Sequence, residues 1–353
     1  MPDIDTVSHS SQTNVARGQV TSNAFAAVLN NAVAIVMKAG QSAGLNVANI
    51  DQLVDLIPDN VPFTPGTRYP LRFESISEEI NFTSLVHLVA FGAFFNNHIA
   101  ASHHNVMTMF EVAERGMLGL FISGKLNASR LVDISLVDVE SAFGLPLSCE
   151  EQMENIPAYI SVDAPTKPLV EDIVKCLNDT GRILLNRRCP SLGDLILNEM
   201  DKKLLASPAS AGAMMQLLAA TFPAFNDLGF FSKATALTAA LYWTFKDRVP
   251  SLDFSDASDI GCPSDFDLID FFFDMGVIEV KETSDTISAE LLRALAVVGG
   301  RQIRSRILSK RGLDYSMVDL DMIFREIQAS RKKTASAEDR PDRPYHAPRS
   351  FFF

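Results

Sequence analysis

Five side chains stand out as candidates for chemistry: Asp259, Asp314, Tyr315, Asp319 and Lys233. Asp259 lies in Ser258-Asp259-Ile260-Gly261-Cys262-Pro263-Ser264, just before a Gly-x-Pro turn that can aim a side chain into a cleft. A carboxylate so placed can stabilise positive charge developing on a substrate or attack it as a nucleophile. Asp314-Tyr315 and Asp319 offer hydrogen-bond acceptors and a flat aromatic face, but the same residues also read as an ordinary helix start. The other acids around Asp259, from Asp253 to Asp274, fit helix caps and loop charges, because the spacing of a calcium loop and its twelfth-position Glu are missing.

Other constellations are weaker. His103 and His104 are adjacent and point apart, and neither they nor His98 have a nearby Cys or Asp, so no metal is expected. Cys149, Cys176, Cys189 and Cys262 form no C-x-x-C pair and read as free thiols of a reducing cytosol. No phosphate-cradling G-x-x-x-x-G-K-S/T loop, dinucleotide G-x-G-x-x-G run or G-x-S-x-G elbow is present, which disfavours the common nucleotide and hydrolase folds.

The elements that must hold these residues read as helices. The 353 residues are 47% hydrophobic and 21% charged, a globular composition. Helical spacing predicts helices from about 21 to 38 (capped by Thr21 and Ser22), 80–95, 105–122, 135–143, 167–186, 191–205, 209–221, 229–246, 287–308 and 315–330. Ser264-x-x-Asp267 has the form of a capping box opening another, to about Met275, and residues 277–280 suit a short strand. The expected organisation is a flexible start over 1–20, an N-terminal helical lobe over 21–160 and a C-terminal lobe over 161–330 carrying most of the site. A charged linker and docking tail follow over 331–353. The tail is expected to fold back, since Phe351-Phe352-Phe353 left exposed invites association.

A net charge of −12 repels phosphate backbones, so broad nucleic-acid binding is not expected, although a local basic pocket can take a small anion. The longest apolar run, near 85–95, is too short to span a bilayer, and no leader segment is evident, which together predict a cytoplasmic protein.

Four stretches in order, Phe222-Pro223-Ala224-Phe225-Asn226-Asp227, Phe230 to Leu237, Ser258 to Ser264 and Leu313-Asp314-Tyr315 with Asp319, resemble the queuosine 5'-phosphate N-glycosylase/hydrolase family of queuosine salvage. Ile80-Asn81-Phe82, Met275-Gly276-Val277-Ile278 and the closing Pro344 to Phe353 extend the likeness. The resemblance implies an all-α, two-lobed fold similar to helical DNA glycosylases. The implied reaction hydrolyses the N-glycosidic bond of queuosine 5'-monophosphate, a small-molecule nucleotide, and releases queuine without metal or cofactor. By position, Asp259 is implied as the catalytic carboxylate, and Asp314, Tyr315 and Asp319 as the base pocket. Lys233, or Arg187 with Arg188, is the charge-based choice for the 5'-phosphate. The chain departs from the family pattern at Ser232-Lys233 (Lys-Arg in the family), Thr235 (Gln), Ala257 (an aromatic) and Ile260-Gly261 (Tyr-Arg), and has no His between Arg68 and Val86. These departures support an alternative, a non-catalytic binding or scaffold paralogue of the same fold.

Overall fold

A computed structural model describes residues 23–40, 43–60, 71–96, 98–99, 108–153, 156–227, 229–280 and 287–334. The fold is all-α, with two small two-stranded sheets among the described residues. Helix α1 (Asn23–Ala39), strand β1 (Ala43–Leu45), α2 (Val47–Leu56) and α3 (Ile76–Val89) come first. They are followed by α4 (Met109–Ile122), α5 (Ala128–Leu131), α6 (Leu136–Phe143) and the hairpin β2 (Ser148–Gln152) with β3 (Tyr159–Asp163). Then come α7 (Lys167–Asn186), α8 (Leu192–Leu204), α9 (Ala211–Thr221), α10 (Ser232–Phe245) and α11 (Phe266–Asp274). Strand β4 (Ile278–Val280), α12 (Ala289–Arg311) and α13 (Met317–Thr334) close the described body.

Local signals set the helix ends. Thr108 and Glu111 exchange side chain-to-backbone bonds in a capping box at the start of α4, and Ser135 and Asp138 do the same for α6, which ends on left-handed Gly144. Pro168 opens α7, where its missing N–H costs nothing. That helix buries Leu169, Val170, Ile173, Cys176, Leu177 and Leu184 at three- and four-residue spacing, the amphipathic stripe expected over 167–186. One expected cap is displaced. Asp265, not Ser264, accepts the Leu268 N–H at the head of α11, because Ser264 is engaged by Arg293 instead.

Two large clusters and a small joint form the core. The first surrounds α3, which is buried on nearly all sides against α4, α8 and α10. Asn81 is the polar exception and is satisfied on both sides, donating to Leu126 O (2.9 Å) and accepting from Leu192 N (3.0 Å). Gly193 lets α8 cross α3 closely, since a Cβ there would fall 2.0 Å from Ser77 O. The expected helix over 80–95 ends at Val89, and the chain turns away through Gly92 in a left-handed conformation.

The second cluster joins α2 to α11, α12 and α13. Phe271, Phe272 and Phe324 meet there with ring centroids 5.3, 5.6 and 6.0 Å apart, each pair worth ~1 kcal/mol beyond its buried area. β1 pairs antiparallel with β4, Gly44 opposite Glu279, so the strand expected near 277–280 exists and its partner comes from far upstream. Helix α1 packs along α12, and Val28, Ala32, Phe230, Ala294 and Val297 form the joint.

The β2–β3 hairpin was not anticipated. It buries almost nothing, so it needs no apolar alternation and leaves none in the sequence. No described helix is long and apolar enough to cross a membrane. Residues 331–334 form the last turn of α13; the rest of the expected arm and docking tail lies outside the described residues, as do Thr21, Ser22, His103 and His104. Among the described residues all four cysteines are free, Cys176 and Cys262 buried.

Candidate functional site

The Asp259 turn is held at both ends. Upstream, Ser255 N donates to Ala209 O (2.9 Å), and the Asp256 carboxylate caps α9, accepting from Ala211 N (2.6 Å), Gly212 N (3.1 Å) and Ser210 Oγ (2.8 Å). Ala257–Asp259 then forms one short 3-10 turn with Ala257 and Ile260 buried on either side, leaving Ser258 and Asp259 exposed. Downstream, Cys262 presses on α12 at Gly300, where a Cβ would come 3.0 Å from its Sγ, and Arg293 Nε donates to Ser264 O and Oγ, both at 3.3 Å. The Asp259 carboxylate has neither a hydrogen bond nor an ion pair among the described residues. It is thus an exposed carboxylate on a fixed turn, without a partner among the described residues.

Arg304 of α12 draws Asp314 to the same edge. Its Nη1 donates to Ser258 O (2.9 Å) and its Nη2 to Asp314 Oδ1 (3.4 Å), the Asp314 side chain being 72% exposed. The remaining expected residues are engaged elsewhere. Tyr315 is buried in the second cluster and its hydroxyl donates to Pro58 O (2.7 Å). Asp319 Oδ2 accepts from Ser316 N (2.8 Å) and Ser316 Oγ (2.7 Å), and fixes the start of α13. Lys233 is buried in the first cluster: its Nζ donates to Leu88 O (3.0 Å) and lies 4.8 Å from the Phe91 ring centroid and 6.0 Å from that of Phe225. None of these partners belongs to the Asp259 turn.

Burial pushes the Lys233 ammonium down to about 8, with Cys176 and Asp227 opposing the fall. Between that value and the ordinary lysine value the unfolded chain holds a proton that the native state has released, so native stability rises with pH through this window. At lower pH both states are protonated and the native state bears the whole cost of burying the cation. Relative to Lys233→Met, the wild type should therefore gain ~2 kcal/mol of unfolding free energy between about pH 7.5 and 9.5. Urea titrations of both proteins at the two pH values check this; a constant difference would show that Lys233 does not titrate there.

The residue reading missed a buried ion pair. Asp227 and Arg293 are almost completely buried; Arg293 Nη2 donates to Asp227 Oδ2, which also accepts the Ser232 N–H at 2.9 Å, and the guanidinium lies 4.5 Å from the Phe230 ring centroid. One signal is Arg293 inside the apolar run Leu291-Leu292-Arg293-Ala294-Leu295. Next to this pair, Asn226 and Phe231 line a cleft of about 270 Å³ with Met215, Gln216, Ala219 and Ala220. Phe231 has φ 50, a strained conformation for a side chain of this size, and α10 starts directly after it.

This geometry can be set beside known proteins. No protein-family profile matches the chain. A curated mouse (Mus musculus) protein named queuosine 5'-phosphate N-glycosylase/hydrolase is 25% identical over 228 residues, 58% of this chain and 63% of that protein. The relationship is distant. The chain spans less than two thirds of that relative's length.

Chemically, two things are in place. The Asp259–Asp314 edge offers two exposed carboxylates, with Arg304 bonded to Asp314 and to the Ser258 carbonyl, suited to a substrate that develops or carries positive charge and donates N–H groups. The Asp227–Arg293 pair is shut away from solvent and, through Ser264, fixes the far end of the segment that bears Asp259.

Proposed function

We propose that this chain hydrolyses the N-glycosidic bond of a queuosine 5'-phosphate-type nucleotide. The observation that carries the reading is the exposed Asp259 carboxylate on its fixed turn, without a partner among the described residues, in a chain distantly similar to a protein named for that reaction. Water is the co-reactant. As the bond between the ribose C1' and the base nitrogen breaks, its electron pair leaves with the base, which takes up a proton. Positive charge builds on the ribose, where Asp259 stabilises it, and water oxygen completes C1' after losing its own proton. Asp314 accepts from the N–H donors of the 7-deazaguanine. Tyr315 and Asp319, bonded to Pro58 and Ser316, fix the loop that presents Asp314. Lys233, bonded to Leu88 O, supports the wall of the first cluster.

One observation favours a second reading, a non-catalytic binding protein of the same fold. Ser232-Lys233 stands where the family pattern has Lys-Arg, and the cleft beside it is lined by none of Asp259, Asp314, Tyr315 or Asp319. Chromatographic detection of free queuine from purified protein and queuosine 5'-monophosphate separates the two. Turnover supports hydrolysis; tight binding without turnover supports the second reading and removes the first.

A further inference from the structure

The Asp259 edge borders a run of cations on an acidic chain. Within α12, Arg301, Arg304, Arg306, Lys310 and Arg311 follow one another and Glu290 is the helix's one acid, while the whole chain carries −12. Three of the five fasten α2. Arg306 and Lys310 pair with Asp51, and Arg311 donates to Val54 O (2.9 Å), Ile57 O and Asp59. The other two face elsewhere. Arg304 holds Ser258 O, one residue before Asp259, and reaches Asp314 only at 3.4 Å. Arg301 is exposed and has no partner among the described residues. Residues three apart on a helix share a face, about 4.5 Å along its axis, so Arg301 stands one turn from Arg304 on the side away from Asp314.

We propose that Arg301 and Arg304 form the subsite for the 5'-phosphate of the nucleotide. The inference rests on the hydrolase reading, in which the ribose lies over Asp259. Two carboxylates at this edge repel a phosphate dianion unless a cation stands beside them, and Arg304 is bonded to Asp314 and to the carbonyl of Ser258, the residue before Asp259. A guanidinium presents forked N–H donors that match phosphate oxygens, and the long contact to an exposed carboxylate is easily exchanged for one to a dianion. Arg301 supplies the second fork, exposed and without a bond to another described residue. The base then points toward Asp314 and the phosphate toward Arg301. Selectivity for nucleotide over nucleoside follows from this placement.

Arg301→Gln gives the clean test, since it removes no hydrogen bond or ion pair among the described residues; Arg304 also anchors the turn. The ratio of kcat/KM for queuosine 5'-monophosphate over the free nucleoside should fall about 10- to 100-fold in Arg301→Gln, chiefly through KM, as expected for losing a charge-assisted bond. Arg130→Gln, a change to another exposed arginine, should leave the ratio as it is. A wild-type enzyme that uses both substrates equally, or a ratio unmoved by Arg301→Gln, overturns the phosphate subsite while leaving the hydrolase reading intact. If the wild type turns over neither, the hydrolase reading fails, and calorimetric binding of the monophosphate decides the subsite. Binding weakened by Arg301→Gln and by added salt supports it; binding absent, or indifferent to the substitution, overturns it.

Discussion

Asp227→Ala should destabilise the protein by ~3–5 kcal/mol, the usual result of stripping the counter-ion from a buried guanidinium. Folded domains hold only about 5–15 kcal/mol in total, so the loss amounts to a third or more of the stability. The Arg293 side chain is 5% exposed and stacks on Phe230 of the joint between α1 and α12. Asp227 also caps the backbone of Ser232 at the head of α10, which adds an unmet N–H to the cost. The double change Asp227→Leu with Arg293→Met should be milder than Asp227→Ala, because two well-packed apolar groups need no partners. Urea unfolding of the three proteins checks both statements. A single variant within about 1 kcal/mol of wild type would mean that the pair is looser, or wetter, than the geometry describes.

Asp259→Asn should leave the melting temperature unchanged and cost about 100- to 1,000-fold in kcat on queuosine 5'-monophosphate. The first half follows from the structure: the carboxylate is exposed and has no hydrogen bond or ion pair among the described residues, so its removal breaks none of those. The second follows from the proposed chemistry, in which a fixed anion faces charge that exists only in the transition state, so kcat falls more than affinity. Asp253→Asn, at another exposed acid of the same segment, serves as the comparison and should retain activity. Equal rates for wild type and Asp259→Asn would remove Asp259 from the mechanism, and equal losses in both variants would reduce the effect to general surface charge.

Much of the helical framework was legible because each helix carries its signal locally. The stripe from Leu169 to Leu184, the Thr108 and Ser135 caps and the Gly144 stop all lie within a few residues of what they control. Long-range pairings leave no such trace. Ala43–Leu45 is too short to show a strand period and becomes a strand only by meeting Ile278–Val280. The site divides in the same way. The Gly-Cys-Pro turn after Asp259 was visible, and so was the acid-rich start of α13. That Asp319 spends its carboxylate on Ser316, that Tyr315 reaches Pro58, and that Arg304 joins Ser258 to Asp314 depend on contacts whose members are not neighbours in the periodic pattern. Asp227 was in view as part of a motif, but its partner lies 66 residues away.

The pairing of β1 with β4, together with the bonds from Asp51 and Asp59 to α12, has a consequence for the chain as it is made. Ile50, Leu53 and Val54 of α2 are buried in a cluster most of whose members are translated much later. At about 5–20 residues per second, the ribosome delivers that cover roughly ten seconds to a minute after α2 has emerged. During that interval a greasy helix waits outside the exit tunnel, beside helices that are already able to pack with one another. Substitutions that weaken α12 should therefore harm yield in a cell more than their effect on the finished molecule implies, because they prolong the time for which α2 is open to chaperones and to other nascent chains.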